Sequence, residues 1–220
     1  MTTKALEAWV LHKIPSGDSS LRVTFFTRED GIINCLCKGG RTPKKQAILQ
    51  SFSPLWLALD VRKDWYFARQ VEALATDLQL KGDSLFAGLY VNELLYFSLK
   101  PLDPQPELFA AYLQIMQGLS SVTDRFAIEI LLRRFEWTLL QTCGHGLSFI
   151  AIKPELTYQY IAGQGFIPAK TGFPGIDLLA LSEGRLEQVS VLKTAKLLMR
   201  QAIDHHLNGR ILKSRSLYVK

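Results

Sequence analysis

From Leu6 to Ile14 apolar and polar residues alternate. Ala8, Val10 and His12 share one side, and Trp9, Leu11 and Lys13 share the other. A period of two over that length predicts a strand with two unlike faces. Leu21–Thr27 is rich in β-branched and aromatic residues, Glu29-Asp30-Gly31 supplies a turn, and Ile32–Cys37 returns as the hairpin partner. Phe52–Leu59 reads as a fourth strand, with Pro54 tolerated near its start or on an edge, and Trp65–Glu72 as a fifth. Five short strands with one longer loop predict a small barrel of the OB type, although other small barrels share this pattern.

The period changes after about Ser84. Leu85, Leu89, Asn92, Leu95 and Tyr96 recur at spacings of three and four, with Ser84 as a candidate N-cap and Lys100-Pro101 as the stop. Glu107–Leu119 reads as a second helix. Asp124 is placed to cap a third that runs through Thr142, and Gly144 and Gly146 end it. Residues 147–185 break the pattern with repeated glycine and proline, and Tyr158–Ile161 and Gly165–Ala169 are spaced to pair as a small hairpin. A last helix from about Val189 to Leu207 turns Val191, Leu192, Ala195, Leu198, Met199 and Ile203 inward and stops at Asn208-Gly209. The chain reads as α+β. A five-stranded OB-type barrel over residues 1–80 precedes a mostly helical domain over 81–220, with a small β insertion at about 147–185.

Composition narrows the classes. Of 220 residues 48% are hydrophobic and the mean hydropathy is +0.08. A core can therefore form and long disordered tracts are not expected. No apolar run reaches the roughly 18–20 residues of a membrane span, and the first fifteen residues lack the pattern of a signal peptide. A soluble cytosolic protein is expected. Cys35, Cys37 and Cys143 are too few and odd in number for a disulfide framework.

The net charge of +6 is uneven. Residues 1–80 carry 11 basic and 8 acidic side chains, residues 81–185 carry 8 and 10, and residues 186–220 carry 7 and 2. Two basic ends around an acidic middle suit a polyanion that touches both ends, or serve solubility alone.

Lys38–Lys45 (KGGRTPKK) puts Lys38, Arg41, Lys44 and Lys45 in eight residues without an acid. Gly39-Gly40 allows a tight turn, and Pro43 is expected to keep the segment irregular. Cationic loops at the rim of an OB-type barrel follow phosphates while nearby aromatics, here Phe25, Phe26, Phe52 or Trp65, stack on bases. The plainer alternative is a solvated loop above aromatic core residues. Arg210, Lys213, Arg215 and Lys220 form a second basic tract, which Lys193, Lys196 and Arg200 extend along one helix face. Arg22, on the second strand, joins the loop and the tract as an expected DNA contact.

Cys35 and Cys37 point to one side of a strand and read as core. Cys143-Gly144-His145 is a weak metal signal, and the adjacent His205 and His206, facing apart on their helix, read as surface or satisfied residues. The nucleophile-elbow, P-loop, zinc-protease and dinucleotide motifs are missing, and the acids are scattered. A binding protein is expected rather than an enzyme, with no cofactor.

Several strings resemble one family. Ala8–His12 (AWVLH), Ser19-Ser20-Leu21 and Phe26-Thr27 resemble the opening of the RecO family of recombination mediators, as do Lys38–Arg41 and Leu49–Leu55 (LQSFSPL). Gly88–Leu95 (GLYVNELL), Arg133–Glu136 (RRFE) with Leu139-Leu140, and Leu212–Arg215 (LKSR) follow in order over almost the whole chain. The resemblance implies an OB domain, a helical domain and an inserted zinc module. It further implies binding of single- and double-stranded DNA, annealing of complementary strands, action with RecR, and help in loading RecA onto DNA covered by single-stranded DNA-binding protein. One departure stands out. Ser148–Gly175, where many members carry four zinc cysteines, contains none. No metal is expected there, and Tyr160 and Phe166 are expected to hold the hairpin instead. The acidic, aromatic-ended tail of the single-stranded DNA-binding protein is expected at Arg133 and Arg134, beside Leu132 or Trp137. The alternative for these arginines is an internal ion pair with Glu129, Glu136 or another acid. At this level a protein-docking adaptor, an RNA-binding OB protein and a hydrolase with an unfamiliar site all stay open.

Overall fold

The computed structural model describes residues 2–62, 65–75 and 78–218. They form two compact units, Met1–Val122 with Leu212–Lys220, and Thr123–Ile211.

The first unit is built on a closed barrel. β1 (Thr2–Ser16) pairs antiparallel with β2 (Ser20–Thr27) and with β4 (Pro54–Arg62), β2 pairs with β3 (Gly31–Cys37), and β4 pairs with β5 (Trp65–Ala73). β3 and β5 run parallel at Cys35–Tyr66 and Leu36–Phe67, which closes the order β1-β2-β3-β5-β4. The barrel is OB-like and the class is α+β. Its interior takes the alternate apolar positions, among them Val10, Val23, Phe25, Ile33, Leu57 and both Cys35 and Cys37.

The alternation expected for the first strand breaks at Leu11. Val10 lies opposite Phe25 but His12 lies opposite Thr24, so one residue is extra on β1. A bulge of this kind turns the following side chains to the other face. His12 leaves the side of Ala8 and Val10 and stands outside. Lys13 turns toward the barrel end, where its Nζ donates to the Leu49 carbonyl at 2.8 Å and burial lowers its pKa. The Val10 carbonyl at this break accepts from Asn92 Nδ2 at 3.2 Å, and Asn92 Oδ1 accepts from the Tyr112 hydroxyl at 3.0 Å. That buried pair of bonds ties the bulge to α2 (Gly82–Ser98) and α3 (Pro106–Ser121).

Other expectations also need correction. Pro43 does not keep its segment irregular. It is the first residue of α1 (Pro43–Ile48), where its missing N–H costs nothing and its φ suits a helix. Leu49, just past α1, is fully buried in the barrel core. Ser84 does not cap α2, which begins two residues earlier. Its hydroxyl donates to the Val122 carbonyl at 2.9 Å.

The second unit holds α4 (Arg125–Thr142), a sheet of β6 (Thr157–Ile161), β7 (Gly165–Pro168) and β8 (Phe173–Pro174), then α5 (Gly175–Ser182) and α6 (Val189–His206). Asp124 caps α4 by accepting from the Ala127 N–H at 2.9 Å. The hairpin pairs Tyr160 with Phe166, whose rings lie 5.5 Å apart. β8 and α5 went unforeseen, because two residues and eight residues are too short for periodicity to register among so many glycines and prolines. All six α6 positions expected to point inward are buried.

Candidate nucleic-acid interface

The outer face of β1, β2 and β3 is split. Trp9, Phe26 and Ile32 are buried, with Phe109 and Tyr112 of α3 against the Trp9 and Phe26 rings at 5.1–5.6 Å. The other part is open, and there a groove of about 490 Å³ runs across the strands. Arg22 stands on β2, His12 and Ile14 on β1, Asn34 on β3, Trp65 at the start of β5, and Tyr96 on α2. Trp65 is 57% exposed although it lies on a barrel strand. His12 and Tyr96 pack ring to ring at 4.7 Å. Asn34 accepts from the Thr24 hydroxyl at 2.8 Å through Oδ1, which leaves its Nδ2–H donors for the groove. One guanidinium, an open indole, an amide and flanking rings are the groups that hold a sugar-phosphate strand with unstacked bases.

Of the aromatics proposed for stacking, only Trp65 is available. Phe25, Phe26 and Phe52 are 5% exposed or less and belong to the interior. Periodicity assigned Trp65 and Arg22 to strands, but nothing local marked His12, Asn34 or Tyr96. The one signal was polarity: Asn34 is the single polar residue within IINCLC.

The basic loop leaves the barrel just past the Leu21–Cys37 pair, on the strand whose Leu36 lies opposite Arg22. Gly40 sits tight against that pair, and a Cβ there would lie 2.9 Å from the Cys37 carbonyl oxygen and 3.0 Å from Leu21 Cβ. Two of the four cations are partly committed. Arg41 Nη1 donates to the carbonyls of Asp18 at 3.0 Å and Gly17 at 3.3 Å, and Lys45 Nζ donates to the Lys38 carbonyl at 2.6 Å. Lys38 and Lys44 are exposed.

The C-terminal tract is divided between the two units. Arg210 belongs to the second unit and is exposed, whereas Lys213 and Arg215 belong to the first. Glu93 on α2 accepts from the backbone N–H groups of Lys213 at 2.9 Å and Ser214 at 2.8 Å, and so caps a 3-10 helix over Lys213–Tyr218. Arg215 lies over the Tyr90 ring at 5.9 Å. Lys220 lies outside the described residues.

In the second unit Arg133 and Arg134 line one pocket of about 290 Å³ with Trp137, Leu181 and Leu186. Arg133 is 6% exposed and its Nη2 bonds Glu136 at 2.8 Å, while its Nε has no hydrogen-bond partner. Arg134 reaches Glu187 at 3.1 Å with both side chains well exposed, an arrangement of little strength in water. The internal pairing with Glu136 is therefore real for Arg133, and Arg134 is the accessible cation.

His145 meets both His205 and His206, with ring centroids 6.1 and 4.6 Å away. Burial lowers the His206 pKa, and the other two histidines add to the effect. Among the described residues no group of three or more His, Cys, Asp or Glu is arranged to hold a metal ion, and no helix is long and apolar enough to cross a membrane.

Residues 1–76 match the family model described as Recombination protein O N terminal, and residues 79–151 match the one described as Recombination protein O C terminal. A DNA repair protein RecO of Legionella pneumophila (strain Corby) is 52% identical over 226 residues, covering 99% of both chains. One from Methylococcus capsulatus is 38% identical over 96% of this chain and 91% of that protein. One from Aliivibrio fischeri (strain MJ11) is 34% identical over 96% and 93%.

Proposed function

This chain belongs to the RecO family of DNA repair proteins, and on that premise we propose that its barrel holds single-stranded DNA in the groove of Arg22 and Trp65 while complementary strands anneal. The observation that carries the reading is the open indole of Trp65 in one groove with an exposed guanidinium, on the open part of the barrel's outer face. Arg22 takes a phosphate, Trp65 stacks on a base, and Asn34 donates to whatever base edge arrives. Lys38 and Lys44 continue the phosphate track along the rim, with Arg41 and Lys45 adding charge while they brace the loop. Duplex DNA meets the same cations through its backbone. Neutralised phosphates release counterions and repel each other less, so two strands approach and pair without any covalent step.

In this reading the partners are those that the family resemblance implies. RecR acts with the protein, and the two help RecA onto DNA covered by single-stranded DNA-binding protein, in the cytoplasm at the nucleoid. The acidic tail of that last protein is assigned to the pocket of Trp137. Arg134 forks onto its carboxylate, and the unpartnered Arg133 Nε–H is left to donate alongside. Arg210, Lys213 and Arg215 are weaker candidates for DNA contact.

Fluorescence anisotropy with labelled oligothymidylate tests the barrel. Arg22→Ala with Trp65→Ala is expected to cut affinity about ten-fold or more and to flatten the slope of log K against log salt by about 0.7. A folded double variant with unchanged affinity and slope takes the DNA site off this face. Replacing the probe with RNA of matched length separates an RNA-binding role.

A further inference from the structure

The barrel groove has a counterpart in the second unit. Between the β6–β8 sheet and α6 lies a groove that also measures about 490 Å³. Gln159 and Tyr160 reach it from β6, and Lys193, Leu197 and Gln201 from α6. Spacings of four place those three α6 residues on one helix face. Thr171 and Gly172 close the end next to β8. Gly172 has φ +140°, and a Cβ there would sit 2.3 Å from the Tyr158 carbonyl oxygen, so this wall has to remain bare backbone.

The inventory repeats that of the barrel. Each groove offers one cation, an aromatic ring, side-chain amide, threonine and one exposed aliphatic residue, Ile14 at 40% in the first and Leu197 at 58% in the second. Among the described residues no carboxylate lines either groove. The carboxylate bonded to a lining residue in the second is Asp177, which accepts from the Thr194 hydroxyl at 2.9 Å. Lys193 and Arg200 are exposed along α6, and Lys196 between them is bonded to Glu129.

We propose that this second groove is a nucleic-acid site in its own right, which takes a short stretch of the second strand during annealing. Lys193 binds a phosphate and Arg200 the next one along. The two glutamines meet base edges, and Leu197 and the Tyr160 ring cover base faces. The proposal rests on the reading of the protein as a strand annealer, because annealing brings two strands to one chain and calls for two places to hold them. Charge, amides and bare backbone favour a strand over a protein ligand, for which the exposed Ile176 on α5 and Val189 at the start of α6 are the competing signal.

Binding stoichiometry of a labelled thymidine oligomer of about six nucleotides, within the range of about 4–16 for one OB-type site, tests this on the full chain. Wild type is expected to bind two per chain. Lys193→Glu with Arg200→Glu is expected to bind one with undiminished affinity and to slow annealing of complementary oligonucleotides about ten-fold. Lys193→Gln with Arg200→Gln, milder at these exposed positions, should show the same loss if the reversal variant is misfolded by circular dichroism. A wild-type stoichiometry of one that vanishes in Arg22→Ala with Trp65→Ala overturns the proposal and leaves the barrel reading intact. A barrel variant that keeps one oligomer, which the added Lys193 change then abolishes, upholds it. A barrel variant that keeps both sinks the barrel reading alone. Glu variants that anneal normally but lose an acidic probe peptide overturn it in favour of a protein ligand.

Discussion

In the first unit the groove residues stand on β1, β2, β3, β5 and α2, and every one of those strands is locked into a closed hydrogen-bonded ring. In the second unit the counterpart groove has one helix for a wall and a three-stranded sheet, with β8 only two residues long, for the other. The same kinds of group are thus held on unlike foundations. A closed barrel has no free edge and little room to shift, so it fixes side chains drawn from distant parts of the chain. The helical unit relies on packing, and its most buried charges, Arg133 and Glu136, bond each other inside α4, with the Arg133 Nε left unpartnered in the pocket of Trp137. The barrel groove is suited to grip a strand in one geometry, and the second to accept one more loosely.

The largest expected effect breaks the second foundation and spares the first. Glu136→Ala leaves the Arg133 guanidinium buried without its partner, at a cost of about 3–5 kcal/mol. Hydrogen exchange should speed up through α4 and α6 while the barrel strands keep their protection. Equal loss in both units would show that they do not melt independently. The first unit has a weaker equivalent. Asn92→Leu strands the Val10 carbonyl and the Tyr112 hydroxyl, and is expected to cost about 1–3 kcal/mol in denaturant unfolding, with Tyr112→Phe costing about 1.

Binding sharpens the contrast further. Trp65→Phe should keep most single-strand affinity, and Trp65→Ala should lose about 1–3 kcal/mol of it. The rim loop gives a smaller effect. Lys38→Ala with Lys44→Ala should flatten the salt slope by about 0.7 for each phosphate that is no longer neutralised, without altering stability, whereas Arg41→Ala should also free the Gly17–Asp18 turn, seen as faster exchange there. The smallest effect is one of pH. Burial holds the folded His206 pKa below its ordinary 6.5, so folding favours the neutral ring. That contribution is complete above pH 6.5 and is lost as the pH falls below it. The melting temperature should drop on acidification, and less so in His206→Asn.

Much of the fold was legible because it rests on local signals. Alternation located the first strand, β-branched and aromatic runs between turn signals located the other four, three- and four-residue spacing located four helices, and Asp124 marked a helix start with its own side chain. The hairpin of Tyr160 and Phe166 followed from two short runs around a glycine turn. The site was only partly legible. Arg22 and Trp65 were visible as a strand cation and an aromatic, yet Phe25, Phe26 and Phe52 carried the same signal and lie in the interior. Which face an aromatic takes depends on the register of its strand and on what packs over it. Tyr96 and His12 meet because α2 crosses the barrel, a pairing that no sequence window spans.

Taken alone, the chain's residues determined the class, the order of the five barrel strands and the four longer helices, the charge at both ends and the lack of cysteine in Ser148–Gly175, since each is a matter of composition or short spacing. Tertiary structure decided the rest. One extra residue at Leu11 put His12 outside and Lys13 at the barrel end, and closure of β3 against β5 brought Trp65 into one groove with Arg22. Burial then turned Arg133 toward Glu136 and left Arg134 to the solvent. These outcomes depend on long-range pairing, in which shifting a strand by a single residue exchanges inside for outside.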